Sequence, residues 1–344
     1  MMVRPLALFR ASSNQKIGGG HVFRCLALAY ELRSRGWSCH FVSGPETKTI
    51  TPAVADFSVI EVPEDGVEPE IDLIQKRLTR EPIDLFILDH YGRDDVFQGA
   101  ARAWTNHILV IEDMPNRSHK ADMLLDQSGG RSTSAYEKLV PETCRLLLGP
   151  RYALLRAQFR ELPNQQLPIK NENPRIFISM GATDVDNLTR SAIKTVINQL
   201  PEAQMDVMLS SGAPHIASLK NEYAEEPRIT IHEDVADPCV LMMHASFCIG
   251  TAGINLWERC ALGIPSIIHV AAENQMSNAL HVARNGGGQI IGEGNKLDKE
   301  TLANALRTLR KDKGFFANMG KKAREICDGY GTERVANAIE DLCA

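Results

Sequence analysis

The 344-residue chain contains no apolar stretch approaching the roughly 20 residues that a membrane span requires. Its opening run, Leu6 to Phe9, is bounded by Pro5 and Arg10 and is too short for the core of a secretory signal. Membrane insertion and export are therefore not expected, and the cytoplasm is the expected location. An excess of positive charge is also missing. Lys and Arg number 38 against 43 Asp and Glu, for a net charge of -5, so nothing global attracts a polyanion and no local basic patch replaces it. Nucleic acid is not an expected partner. Paired cysteines are absent too: Cys25, Cys39, Cys144, Cys239, Cys248, Cys260, Cys327 and Cys343 stand singly, without the spacing of a zinc site or a disulfide framework. No metal site and no cofactor is expected, and the thiols read as reduced and mostly buried.

What is present is the balance of a globular protein, with 44% hydrophobic and 24% charged residues. The length exceeds what one hydrophobic core usually serves, which predicts two domains with a ligand cleft between them. Short apolar runs alternate with amphipathic helical patterns: Leu6 to Phe9, Cys39 to Ser43, Leu85 to Leu88, His107 to Ile111 and Met123 to Leu125. That alternation is the signature of a parallel sheet covered on both faces by helices. It pauses at LPNQQLPIKNENP, a proline- and amide-rich stretch that can bury little. It then resumes with Arg175 to Ser179, Met205 to Leu209, Ile229 to Ile231, Phe247 to Ile249 and Ser266 to His269. The expectation is an α/β protein of two doubly wound, Rossmann-like lobes, 1–162 and 175–344, joined by a linker at 163–174. The last helix is expected to pack back on the first lobe.

In such sheets ligands bind beyond the carboxyl ends of the strands, so the strand-to-helix turns are where chemistry is sought. The first turn runs Ile17-Gly18-Gly19-Gly20-His21 into a helical segment. Glycine permits close backbone approach and a helix start offers free N–H groups. An imidazole there, with an ordinary pKa near 6.5, is suited to take a proton from water. His21 is the candidate base, against the plainer alternative of a helix cap. The glycines do not complete a GxGxxG fingerprint, and no acidic residue is placed for a dinucleotide ribose.

The second turn, Ser179 to Thr189, offers Gly181, Asp184 and Asn187, residues that cap helices as readily as they bind ligands. The third, Gly250-Thr251-Ala252-Gly253-Ile254-Asn255, is a small-residue loop opening a helix, built to hold a phosphate through backbone N–H groups. Glu258 follows on that helix with a carboxylate suited to a ribose diol, although a surface ion pair is the commoner fate of such a residue. Asn274 and Gln275 lie further along. A fourth turn, Leu88 to Asp94, offers Tyr91 and His90 as pocket residues, with Asp89 and Asp94 equally suited to organising a turn.

The order of these motifs resembles the bacterial nucleotide-sugar hydrolases of pseudaminic acid synthesis. The similarity runs through Gly18 to Ala29, Leu88 to Asp94, Asp113 to Gln127, Leu148 to Phe159, Ser179 to Thr189 and Gly250 to Gln275. More distantly, the second lobe is similar to two-lobed glycosyltransferases of the GT-B type. The resemblance implies removal of UDP from a UDP-linked, altrose-configured diacetamido sugar by water attack at the anomeric carbon, with inversion and without a metal. On it, His21 is the base, Glu258 holds the ribose, Gly250, Ala252, Gly253, Ile254 and Asn255 hold the diphosphate, and Asn274 and Gln275 contact sugar or phosphate. Arg10, Gly19, Gly20, Tyr91, Gly181, Asp184 and Asn187 complete the expected substrate contacts. The sequence departs from the family at Ser12, where an aspartate is usual, at Ala182, where a second glycine is customary, and at Ile254 and Asn255, where small hydroxyl residues are typical. Two other readings stay open: a GT-B glycosyltransferase using a UDP-sugar donor, and a non-catalytic nucleotide-sugar-binding protein.

Overall fold

The structure, a computed structural model, describes residues 4–14, 19–63, 68–78, 82–161, 173–235 and 237–344. Gly18 and nearly all of the expected linker fall outside these residues. The chain divides into two compact units, Met1–Ala157 with Tyr330–Ala344, and Gln158–Gly329.

The first unit is built on seven parallel strands: β1 (Leu6–Ala11), β2 (Ser38–Ser43), β3 (Ser58–Glu61), β4 (Ile83–Asp89), β5 (Thr105–Ile111), β6 (Met123–Asp126) and β7 (Arg145–Leu148). Their order in the sheet is β3-β2-β1-β4-β5-β6-β7. Central strands such as LALFRA and IDLFILD are almost continuously apolar because helices cover both faces. On one face Phe9 stacks on Phe41 at 4.9 Å between centroids, beneath α1 (Gly20–Ser34). On the other, Trp104 meets Phe86 edge-on at 5.0 Å. The terminal helix Gly331–Cys343 joins this unit, burying Val335, Ala336 and Ile339 in the α1 core. Its start is fastened by Thr332 Oγ1 donating to the Leu155 carbonyl at 2.6 Å, and its flank by an ion pair of Glu340 with Arg35 at 2.7 Å.

The second unit repeats the plan with six strands: β8 (Arg175–Ser179), β9 (Gln204–Leu209), β10 (Ile229–Glu233), β11 (Phe247–Thr251), β12 (Ser266–Val270) and β13 (Gly288–Glu293), in the order β10-β9-β8-β11-β12-β13. Two of its helices matter below, α2 (Leu188–Gln199) and α3 (Ile254–Ala261). In each sheet the strand order reverses once, at β1/β4 and at β8/β11, and there the diverging connections leave a crevice at the carboxyl ends. The register places Ala11 opposite Asp89 at the first switch point and Ser179 opposite Gly250 at the second.

Candidate functional site

At the β1/β4 switch point, His21 is the second residue of α1 and is followed one turn later by Arg24, on the same face of the helix. Both reach Asp89, the last residue of β4. Asp89 Oδ1 lies 2.5 Å from His21 Nδ1, and its two oxygens accept from Arg24 Nη2 and Nε at 2.6 Å each. Asp89 is 1% exposed. Burial alone would raise its carboxyl, but the charges of Arg24 and His21 and their hydrogen bonds hold it well below the usual carboxylate range. In the neutral imidazole, an ionised carboxylate on Nδ1 favours the tautomer with its proton on that nitrogen and the lone pair on Nε2. No described residue bonds to Nε2.

Asp113, just beyond β5, extends the cluster. It accepts from the Tyr91 hydroxyl at 2.8 and 2.9 Å and lies 3.6 Å from Arg24 Nη1. Burial raises its carboxyl despite Arg24 and the Tyr91 bond, with Asp89 and Glu112 adding to the rise. Burial and Asp113 likewise raise the Tyr91 phenol, which stays a neutral donor. The Tyr91 ring meets the His21 ring edge-on at 4.8 Å. Arg117 braces the arrangement from behind through the Tyr91 carbonyl and an ion pair to Glu112 at 2.6 Å. The product is an imidazole held on three sides and open at one nitrogen, which is what a general base requires.

In the second unit, Gly253 caps α3 with no side chain on the exposed helix N–H groups. The loop before it is clamped from the side. Gln275 Oε1 accepts from the backbone N–H of Ala252 at 3.3 Å and of Ala271 at 3.2 Å, and Asn278 donates to the Ala252 carbonyl at 3.3 Å. Glu258 is buried on the same helix. On the neighbouring strand end, Gly181 takes φ +108°, a conformation that side-chain-bearing residues rarely adopt, with open space where a Cβ would stand.

Residues 175–342 match the model of the glycosyltransferase family 28 C-terminal domain. A UDP-2,4-diacetamido-2,4,6-trideoxy-beta-L-altropyranose hydrolase of Campylobacter jejuni is 27% identical over 282 residues, covering 81% of this chain and 96% of its own. The spore coat polysaccharide biosynthesis protein SpsG of Bacillus subtilis is 23% identical over 340 residues, 96% of this chain and 97% of its own. Among solved structures, MurG of Acinetobacter baumannii matches with a TM-score of 0.65 at 17% identity, covering 98% of this chain and 100% of that one. The fold is of the GT-B type.

Within its GT-B lobes the expected site residues divide. His21 and Tyr91 come together, and Gly20 opens α1 onto free space, whereas a Cβ on Gly19 would strike the Phe23 ring at 2.7 Å. Gly253, Ile254, Asn255 and Gln275 gather at the start of α3, with Asn274 exposed beside them. Others have partners within the fold. Arg10 is wholly buried, its guanidinium held by Glu70 at 2.5 Å and by Ser12. Asp184 caps α2, accepting from the N–H groups of Leu188 and Thr189 at 2.9 Å each. Asn187 is the left-handed residue at that helix start. Gly250 is a glycine because a Cβ would collide with the Arg259 guanidinium and lie 2.6 Å from the Ser179 carbonyl. Asp94 organises its turn, accepting from Val96 and Phe97 N–H, and the Gly92 N–H bonds to His90 Nδ1 within the same bend. Sequence reasoning left out Arg24, Asp113, Asn278 and Arg259 and gave Asp89 only a turn. The three-residue spacing of His21 and Arg24 was the one signal available; the rest depends on strand order.

Proposed function

We propose that the protein hydrolyses a UDP-linked acetamido sugar at its anomeric carbon. The second unit binds the nucleotide, with the N–H groups at the start of α3 receiving the diphosphate and Glu258 the ribose. His21 Nε2 removes a proton from water as the water oxygen bonds to the anomeric carbon. The bond from that carbon to the diphosphate oxygen breaks on the opposite face, its electron pair leaves with UDP, and the sugar configuration inverts. Asp89 steadies the imidazolium that forms, as the buried carboxylate of a hydrolytic triad does. The observation that carries this reading is the His21–Asp89–Arg24 arrangement, which orients an imidazole without occupying Nε2. The 27% identity to the Campylobacter jejuni hydrolase supports the same chemistry and that altrose-configured substrate.

Incubation with a panel of UDP-sugars and no acceptor tests it: UDP and free inverted sugar are expected in equal amounts, read by NMR. His21→Ala is expected to fold and bind UDP while losing about 100-fold or more in turnover. Near-normal turnover in that variant would refute the assignment. The glycosyltransferase family 28 match over 175–342 favours a second reading, transfer of the sugar to an acceptor other than water. That reading requires UDP release to depend on an added acceptor.

A further inference from the structure

Arg259 lies on α3, one position after Glu258, and is 0% exposed. Helical side chains lean toward the N-terminus of their helix, and this one runs back beneath the β11–α3 loop. Its Nη2 donates to the Thr251 carbonyl at 2.7 Å, and Nη1 occupies the space that a side chain at residue 250 would need. Nε and Nη1 have no hydrogen-bond partner, and no ion pair reaches the guanidinium, among the described residues. Burial weakens its hold on the proton, opposed by the neighbouring Cys248, Cys260 and Glu258.

A buried guanidinium whose one hydrogen-bond partner among the described residues is a carbonyl, with no ion pair, is costly to hold charged. Loop shape alone does not require a cation there, since a neutral donor would hold the Thr251 carbonyl. An anion on the other side of the loop would compensate the charge. We propose that Arg259 is a positioning residue for the diphosphate: it fixes Gly250 to Gly253 with the N–H groups turned outward and places a positive charge under the loop that receives the anion. Gly250 and Arg259 then form one device, the missing side chain making room for the cation. The inference rests on the nucleotide-binding reading of the second unit and assigns Arg259 no contact with the sugar.

Calorimetric titration of the full chain with UDP and with uridine tests it, comparing wild type, Arg259→Lys and Arg259→Gln. Arg259→Gln is expected to weaken UDP binding on the order of 30-fold, the scale for losing a buried hydrogen-bonded charge, and to leave uridine binding unchanged. Arg259→Lys should recover part of the loss. Unchanged UDP affinity in a folded Arg259→Gln overturns the proposal, and so does an equal fall for UDP and uridine, which would mark a merely structural role. If the variants do not fold, the Arg259 Nε–H resonance of the unmodified protein decides: a shift on adding UDP and none on adding uridine supports the proposal, and no shift with UDP overturns it. Failure of the wild type to bind UDP at all would instead sink the nucleotide reading, and this inference with it.

Discussion

Replacing Asp89 by Asn separates the chemistry of the first-unit cluster from its architecture. The substitution keeps size and shape but removes the charge that pairs with Arg24, a residue with 7% side-chain exposure. Leaving one member of a buried ion pair alone costs about 3–5 kcal/mol. Asp113, 3.6 Å from Arg24, retains part of the compensation, so we take the lower end, about 3 kcal/mol. For a unit of this size that corresponds to a melting temperature about 6–12 °C lower. The kinetic effect is larger. An amide NH2 presented to Nδ1 makes that nitrogen the acceptor and moves the proton to Nε2, where the base is needed. The comparable change in serine proteases lowers kcat by about 10⁴, and a fall of about 10²- to 10⁴-fold is expected here. UDP release is to be measured at a temperature where the variant is folded, with UDP affinity determined alongside and expected to be unchanged. Turnover within a few-fold of wild type, in a variant that has lost the predicted stability, would show that Asp89 braces Arg24 and does nothing for His21. The reasoning would then fail.

The remaining predictions concern acid stability and the second unit. Asp89 is held below its ordinary value, so its stabilisation is complete above the unfolded value near 4 and is lost as pH falls below that toward the folded value. The stability gap between wild type and Asp89→Asn, from urea melts, should shrink as pH falls below about 4; a gap that keeps its size well below that pH would contradict the ion pair. Gly250→Ala should cost about 1–3 kcal/mol in urea unfolding because of the clash with Arg259 and the Ser179 carbonyl. Gly253→Ala, whose Cβ would meet nothing nearer than Gln275 Nε2 at 3.9 Å, should leave stability unchanged and weaken UDP binding; equal melting curves for the two would refute the packing argument. Glu258→Ala should weaken UDP binding more than it slows the chemical step, and an unaltered UDP affinity would count against a ribose contact.

The buried strands were legible because a central parallel strand is apolar on both faces and stands out against amphipathic helices. Ten runs read from the sequence coincide with β1, β2, β4, β5, β6 and β8 to β12. The three strands missed, β3, β7 and β13, are edge strands in their sheets. SVIE and RLLL are short and partly exposed, and GQIIGE has glycines at its start and near its end, so hydrophobicity does not mark them. At the site, His21 was visible through the glycines before it. Asp89 was not, since 68 residues separate it from His21 and only the β1–β4 pairing brings them together. Gly250 shows the converse. Its place in a small-residue loop opening a helix was legible, but the reason for the glycine, a buried arginine nine positions later, is a matter of packing that periodicity does not reveal.

The return of residues 330–344 to the first unit also sets an order of assembly. Residues 158–329 are contiguous and can fold once synthesised, whereas the first unit lacks its closing helix until residues 330–344 have followed them. Until then the face of α1 that receives Val335, Ala336 and Ile339 stays uncovered. The unit that carries His21 is thus completed after the contiguous one, and a chain interrupted before residue 330 would hold a finished second unit and an unfinished first.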